Sequence, residues 1–277
     1  MADDDLSDFD RESFTHDGAS RTVFRKGHGP AVIVIAEIPG ITPRVLNFAR
    51  RVAEQGLTAV VPHLFGTPGL DPNPAAAGPL GTARAFAGSL GTICVRREFS
   101  LFATGRSSPV VDWLRALAAS EHERCGGPGV GAVGMCLTGG FALAMAVDDR
   151  LIAPVLSQPS LPVAITPRQR RSIDISHNDL QRVRQRCEAG ELEVVGLRFK
   201  GDRLSPGSRF AFLREQLGDA FLGIELEGAD ANPEALIPPH SVLTEHLIDE
   251  AGQPTRDAVD RVLEFLRTRL SAREPTT

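Results

Sequence analysis

The chain has 277 residues, 42% of them hydrophobic, and a formal net charge of -5. This length allows one large α/β domain or two small ones. The mild charge and the lack of a long Lys or Arg run exclude nucleic acid and lipid surfaces as expected partners. No apolar run approaches the roughly 20 residues of a membrane span, so no membrane contact is expected.

The first residues and the cysteines indicate the compartment. The opening MADDDLSDFDRE is acidic, whereas a secretory signal is basic and then apolar. The four cysteines, at positions 94, 125, 136 and 187, form no CxxC pair and no metal-finger spacing. Reduced thiols in a cytoplasm fit this pattern better than a disulfide framework, and one of them could be a reactive thiolate. We therefore expect a cytoplasmic protein.

Predicted strands and helices alternate along the chain after a flexible acidic N-terminus at residues 1–20. Short apolar runs rich in β-branched residues mark the strands, and apolar residues at helical spacing mark the helices. Strands are predicted at 31–36, 57–61, 129–135, 151–157, 192–199 and 221–226. Helices are predicted at 43–55, 110–119, 139–147, 210–217 and 256–270, with a further helix capped near Ser176 or Asn178. The alternation predicts one doubly wound, mostly parallel α/β domain over 21–277.

Two longer segments interrupt the alternation. Residues 62–109 are rich in Gly, Pro, Ala and Thr, which is typical of an excursion from the sheet that helps to shape a pocket. Residues 162–190 are polar and arginine-rich, and we expect them to cover the surface of the domain.

Residues 134–140 (GMCLTGG) place a cysteine where a buried strand turns into a helix. This is the context of a nucleophile elbow, in which a strained turn lifts the third side chain, here Cys136, out of the sheet. A helix start offers backbone N–H groups to an oxyanion and favours a thiolate. A lone cysteine ahead of a helix is more often a buried structural residue, so the rest of the chain must decide.

Asp202 and His240 complete a candidate triad. In α/β-hydrolases the nucleophile is followed by an acid and then by a histidine, and Cys136, Asp202 and His240 occur in that order. Asp202 directly follows a predicted strand, at the carboxyl edge where doubly wound sheets place their sites. His246 is an alternative to His240. It stands beside Glu245 at a possible helix start, so we expect His246 to lie at the surface. The chain order therefore predicts a Cys-His-Asp triad.

From about Ala31 to Leu270 the chain resembles the dienelactone hydrolase family. The matching stretches are 32–41 (VIVIAEIPGI), 59–65 (AVVPHLF), the cysteine elbow, 201–206 (GDRLSP) and 240–241 (HS). The resemblance implies an α/β-hydrolase fold and hydrolysis of a small ester or lactone without a cofactor. It also implies that Cys136 attacks the carbonyl, His240 carries the proton and Asp202 orients His240.

The resemblance assigns roles to three further residues. Glu37 matches a glutamate near the nucleophile that helps to control its ionisation. The backbone N–H groups of Ile38 and Leu137 match the family's oxyanion hole. From the residues alone, a carboxylate beside Pro-Gly could instead be solvated or cap a loop. Nearness to Cys136 would distinguish these interpretations of Glu37.

Two positions depart from the family pattern. Thr138 stands where the family has glycine two residues after the nucleophile. Thr244 stands four residues after the histidine, where well-studied members carry an arginine that binds the substrate carboxylate. Arginines elsewhere could replace that cation, although each is more simply a solvated surface residue. The candidate substrate-binding residues are then His63, Arg84, Arg97 and Arg203.

Three functions stay open on the sequence alone. The first is dienelactone hydrolase-like cleavage of a small ester or lactone. The second is a broader carboxylesterase or thioesterase for neutral acyl substrates, which Thr244 would permit. The third is a non-catalytic α/β-hydrolase scaffold that binds a ligand or a partner. No P-loop, HExxH or GxGxxG after a strand occurs, so no nucleotide or metal is predicted, and the chain is expected to be a monomer or small homo-oligomer.

Overall fold

The computed structural model describes residues 3–73, 104–235 and 237–271. The strands are β1 (Asp10–His16), β2 (Ala19–Gly27), β3 (Ala31–Ile35), β4 (Thr58–Pro62), β5 (Val130–Met135), β6 (Leu151–Ser157), β7 (Val194–Phe199) and β8 (Phe221–Leu226). The helices are α1 (Pro43–Glu54), α2 (Val110–Cys125), α3 (Gly139–Met145), α4 (Pro167–Arg170), α5 (His177–Glu188), α6 (Gly207–Leu217) and α7 (Pro254–Leu270). Within these described ranges, no helix is both long and apolar enough to cross a membrane.

The strands form one sheet in the order β1-β2-β4-β3-β5-β6-β7-β8. The neighbouring strands β4, β3, β5, β6, β7 and β8 are all paired in parallel, whereas β2 is antiparallel to both β1 and β4. This topology confirms the predicted mostly parallel α/β domain. The carboxyl ends of the parallel strands meet at one edge, where Ile35 pairs with Gly134 and Met135 with Ser157.

Helices cover both faces of the sheet. Along β3, Ile33 and Ile35 pack in one apolar core with α2, α3, α5 and α6, while Val32 and Val34 pack in a second core with α1 and α7. Side chains alternate across a strand, so a strand covered on both faces is apolar throughout. All four side chains are fully buried, and each contributes roughly 1.5–3 kcal/mol.

The β1–β2 hairpin occupies part of the N-terminal segment that we predicted to be flexible. β1 reads DRESFTH and is largely exposed, so it lacks the apolar run that marks the central strands. Its turn is Asp17-Gly18 with both residues at positive φ (47° and 75°), the Asp-Gly signature of a two-residue hairpin. Phe14 packs edge-on against Trp113, with 5.3 Å between ring centroids. Asp10–His16, within the segment predicted to be flexible, therefore form a paired strand at the sheet edge.

The cover segment 162–190 is tied to the domain by hydrogen bonds. Its longer helix, α5, begins as predicted, because Ser176 Oγ accepts from the Asp179 amide at 3.1 Å. Arg209 of α6 is fully buried. Its guanidinium donates to three backbone carbonyls of the segment, at Pro162, Gln169 and Ser172. A buried guanidinium that holds several carbonyls fixes this segment against α6.

Candidate active site

The turn between β5 and α3 holds Cys136 in a strained conformation. Cys136 is half-buried, and its φ of 53° lies in the left-handed region that few residues other than glycine adopt. A Cβ on Gly134 would lie 2.2 Å from the Thr138 carbonyl oxygen, and one on Gly139 would lie 2.6 Å from the Pro159 Cα. Only glycine fits at these two positions. Strand, strained cysteine and helix together have the form of a nucleophile elbow.

Thr138 is accommodated in this turn. Its backbone has φ -90° and ψ -2°, outside the positive-φ region that favours glycine, and its side chain is fully buried. The hydroxyl accepts from the Met135 amide at 2.9 Å and donates to the Ile35 carbonyl at 3.0 Å. It therefore joins the carboxyl ends of β5 and β3, and the departure from glycine leaves the elbow intact.

Asp202 and His240 form a direct hydrogen bond. Asp202 follows β7 after Gly201, and His240 lies in the loop between β8 and α7. His240 Nδ1 donates to Asp202 Oδ2 over 2.7 Å, and both side chains are buried. Burial raises the pKa of Asp202, but the hydrogen bond and the charge of His240, together with the amides of Leu204 and Ser205, outweigh burial and lower that pKa from its usual value. The ionised carboxylate can only accept, so it fixes the proton of His240 on Nδ1.

His240 turns its other nitrogen toward the cysteine. A ring nitrogen of His240, Cys136 Sγ and a carboxylate oxygen of Glu37 lie within 4.8 Å of one another, and because Nδ1 faces Asp202, that nitrogen is Nε2. Nε2 is buried and receives no hydrogen bond from the described residues. Burial lowers the pKa of His240, but the charge of Cys136 and the hydrogen bond to Asp202, with smaller contributions from the same two residues, together outweigh burial and raise that pKa well above 6.5. This shift favours the imidazolium form of His240.

The Glu37 carboxylate is buried and held by neutral donors. Ser241 Oγ donates to Oε2 at 2.7 Å, and Gln158 Nε2 donates to the same oxygen at 3.1 Å. Thr244 Oγ1 donates to Oε1. Among the described residues, none of its hydrogen-bond partners is a cation. Glu37 is therefore neither solvated nor a loop cap, and it lies beside Cys136.

Gln158 was not among the predicted site residues. It is fully buried directly after β6, and its φ of 34° is strained for a residue with a side chain. Its amide nitrogen donates to Glu37, while its Oε1 accepts from the Val242 amide at 3.3 Å. A polar residue at the carboxyl end of a central strand was the available signal in the sequence.

The expected surface position of His246 is wrong. His246 is buried; its Nδ1 accepts from the Ser241 amide at 3.1 Å, and its Nε2 donates to the Ile237 carbonyl at 3.0 Å. Both nitrogens are thus occupied by the backbone, and burial lowers the pKa of this histidine. His246 shapes the loop that carries His240 and offers no nitrogen to the thiol.

Of the predicted substrate-binding residues, His63 and Arg203 lie within the described ranges. His63 Nε2 donates to the Gly66 carbonyl at 2.9 Å. His63 lines a depression of about 290 Å³ that Glu37, Cys136 and His240 do not line. Arg203 is exposed. Arg84, Arg97 and the central part of the excursion, 74–103, lie outside the described residues, as does Cys94.

The predicted oxyanion donors follow directly on the site residues. Ile38 comes after Glu37 at the end of β3, and Leu137 comes after Cys136 at the end of β5. Because β3 and β5 are adjacent and parallel, both amides belong to the same edge of the sheet. Ile38 and Leu137 also pack in the same apolar core.

The two other described cysteines have unreactive surroundings. Burial raises the pKa of the Cys125 thiol. Burial also raises the pKa of Cys187, to about 11. A neutral thiol is a poor nucleophile, so Cys125 and Cys187 are poor candidates for that role.

The sheet, its helices on both faces and the cysteine elbow at the carboxyl edge define an α/β-hydrolase fold. The model of the dienelactone hydrolase family matches residues 20–178, which is more than half of the chain. The chain belongs to the dienelactone hydrolase family. The matched range includes Glu37 and Cys136 and ends before Asp202 and His240. A search of curated proteins finds no match.

Solved structures share the fold at low sequence identity. A protein of Klebsiella pneumoniae subsp. pneumoniae MGH 78578 whose dienelactone hydrolase function is inferred has a TM-score of 0.59 at 18% identity, covering 93% of this chain and 97% of its own. P91, a dienelactone hydrolase-like promiscuous phosphotriesterase from metagenomic libraries, has a TM-score of 0.54 at 16% identity, covering 95% and 98%. A cold-adapted esterase from an Arctic intertidal metagenomic library has a TM-score of 0.50 at 16% identity, covering 94% and 93%. At these sequence identities, the similarity to the three proteins shows a shared fold alone.

Proposed function

We propose that this protein hydrolyses a small ester or lactone, with Cys136 as nucleophile, His240 as proton carrier and Asp202 as its orienting acid. The observation that carries the proposal is the position of His240, which is hydrogen-bonded to Asp202 on one side and faces Cys136 on the other. A nucleophile, a base within reach and a third group that orients the base are the parts of a catalytic triad.

The acylation step follows from this arrangement. The Cys136 thiolate attacks the carbonyl carbon, and the carbonyl oxygen takes the negative charge. The amides of Ile38 and Leu137 stabilise that oxyanion. When the carbon–oxygen ester bond breaks, His240 gives its Nε2 proton to the leaving oxygen, and a thioester remains on Cys136. In a lactone the leaving oxygen stays attached to the acyl chain.

Water then removes the acyl group. Neutral His240 takes a proton from the water, whose oxygen attacks the thioester carbonyl. The second tetrahedral species collapses, releases the acid and restores the thiolate beside the imidazolium. Asp202 stabilises the imidazolium through the 2.7 Å hydrogen bond at each stage.

We assign Glu37 to control of the nucleophile. Its carboxylate lies within 4.8 Å of the sulfur, and two negative charges so close oppose each other. Glu37 therefore limits how long Cys136 exists as a thiolate without a substrate. The three neutral donors on Glu37 keep the carboxylate in place without cancelling its charge.

Thr244 supports the second candidate, a carboxylesterase or thioesterase for neutral acyl substrates. Thr244 stands at the position where well-studied family members carry a substrate-binding arginine. Here its hydroxyl donates a hydrogen bond to Glu37 instead. A substrate that carries a negative charge would come close to the buried Glu37 carboxylate. None of the hydrogen-bond partners described for Glu37 is a cation that could offset the repulsion. Like charges at short range in a buried site are costly. We therefore place neutral esters and lactones ahead of acidic lactones.

Steady-state kinetics with matched substrates test the function. The wild-type chain is compared with Cys136→Ala and His240→Ala on a neutral aryl ester, a neutral lactone and a lactone carrying a carboxylate. We expect turnover of the neutral compounds that both substitutions reduce by orders of magnitude. Activity that does not depend on Cys136 would contradict the mechanism. No turnover and no burst with any activated ester would favour the non-catalytic scaffold.

A further inference from the structure

We propose that Glu37, Cys136 and His240 also form a binding site for a thiophilic divalent cation, represented by Zn²⁺, and that the bound cation reversibly inhibits the protein. The three residues offer a carboxylate oxygen, a sulfur and an imidazole nitrogen within 4.8 Å of one another. These are the ligand types of zinc sites, which bind Zn²⁺ at about 2.0–2.3 Å. Ligand atoms around one such ion lie about 3–4 Å apart, so the three atoms need to approach one another by at most about 1–2 Å.

The surroundings of His240 match those of a metal-binding histidine. Metal-bound histidines usually donate their other ring N–H to a carboxylate, which fixes the tautomer and directs the free nitrogen at the ion. Asp202 holds Nδ1 of His240 at 2.7 Å. Nε2 is buried, aimed at the cluster and without a hydrogen bond from the described residues. Asp202 is therefore already in the position of the carboxylate that orients a metal-binding histidine.

Hydrogen bonds also hold the Glu37 carboxylate in a fixed position, as a metal ligand requires. Oε2 accepts from Ser241 and Gln158, whereas Oε1 accepts only from Thr244 among the described residues. Each carboxylate oxygen has two lone pairs, so Oε1 retains one for a cation. Cys136 is half-buried and thus can be reached from solvent.

Cation binding uses the atoms of the proposed triad but does not need turnover. Coordination requires a thiolate and a neutral imidazole, so one proton leaves to solvent whichever of the two groups held it. With three protein ligands, the fourth position stays open to water. The bound sulfur can no longer attack a carbonyl, and the cation therefore competes with the acyl substrate.

Titration of the metal-free full-length chain tests this site directly. Zn²⁺ binding is followed by calorimetry, and Co²⁺ binding by the absorption band of a cobalt–thiolate bond. We expect one ion per chain with a Kd of about 10 µM or tighter. Cys136→Ser and His240→Gln should weaken binding by at least about 100-fold, and Glu37→Gln by about 10-fold or more. Cys125→Ser and Cys187→Ser are matched controls that should bind like the wild type.

The outcomes separate this site from the proposed function. Binding that is absent, or that survives Cys136→Ser, would overturn the cation site, even if the metal-free chain hydrolyses esters. Zn²⁺ binding that depends on Cys136, in a chain that hydrolyses no ester, would support the cation site and overturn the proposed function. Inhibition that is competitive with the ester, with an inhibition constant equal to the Kd, would support both.

Discussion

Replacing Asp174 by asparagine should stabilise this protein at neutral and higher pH. Asp174 is fully buried in the cover segment, where Ser108 Oγ donates to its Oδ2 at 2.6 Å. Its Oδ1 is buried and has no hydrogen bond from the described residues. Burial raises the pKa of Asp174 from 3.8 to about 7, and the hydrogen bonds of Ser108 offset only part of this effect. The folded chain thus favours the neutral acid.

The size of the effect follows from the two pKa values. Because the folded state binds the proton more tightly, Asp174 costs stability as pH rises from 3.8 toward about 7. Each pH unit in that interval corresponds to about 1.4 kcal/mol, which gives about 4 kcal/mol in total. Asparagine carries no charge at any pH. The difference in unfolding free energy between Asp174→Asn and wild type should therefore grow by about 2–3 kcal/mol between pH 5 and pH 8.

Urea unfolding at pH 5, 6, 7 and 8 measures this difference. Asp179→Asn is a matched control from the same segment, because hydrogen bonds of Ser107 and the charge of Arg115 outweigh burial and lower the pKa of Asp179. The carboxylate of Asp179 therefore stabilises the fold at neutral pH, and this contribution is lost as pH falls through its folded pKa. Its substitution should destabilise at pH 8. A difference for Asp174→Asn that stays constant from pH 5 to pH 8 would refute the reasoning.

Three further outcomes are expected. Asp202→Asn should lower kcat roughly 100- to 10,000-fold, because His240 loses its fixed tautomer, while circular dichroism stays unchanged; a loss below about tenfold would contradict the triad. Thr244→Arg should raise kcat/KM for a carboxylate-bearing lactone relative to a neutral ester by about tenfold or more, whereas Thr244→Val should not. Iodoacetamide at pH 7 should modify Cys136 before Cys125 and Cys187, because burial raises the pKa of the latter two thiols. Peptide mass spectrometry measures the order of labelling, and earlier labelling of Cys125 or Cys187 would contradict this prediction.

Elements that bury apolar residues at a regular period were predictable. β3 was predicted at 31–36 and observed at Ala31–Ile35, because a strand covered on both faces must be apolar at every position. β1 was missed since it lies at the sheet edge with exposed side chains and is stabilised by pairing and by Phe14. The Asp17-Gly18 turn was the signal that could have revealed this hairpin.

The positions of the site residues in the chain were predictable, but their contacts were not. Cys136, Asp202 and Glu37 follow parallel strands, and parallel strands bring such positions to one edge. The hydrogen bonds of Glu37 come from Gln158 on one loop and from Ser241 and Thr244 on another. Contacts between loops depend on tertiary packing that no local pattern encodes. Thr244 was noted for the arginine it replaces, whereas its contact with Glu37 became apparent only in three dimensions.

The proposal that Cys136 is an acylated nucleophile is tested most directly by mass spectrometry of the intact chain. The protein is mixed with an excess of an activated neutral aryl ester, quenched in acid within the first turnover, and digested to locate any adduct. We predict one acyl group per chain, on the peptide that contains Cys136. It should be absent from Cys136→Ala and should decay more slowly in His240→Ala, where no base activates water. An adduct on another residue, or turnover with no adduct at any quench time, would contradict the account.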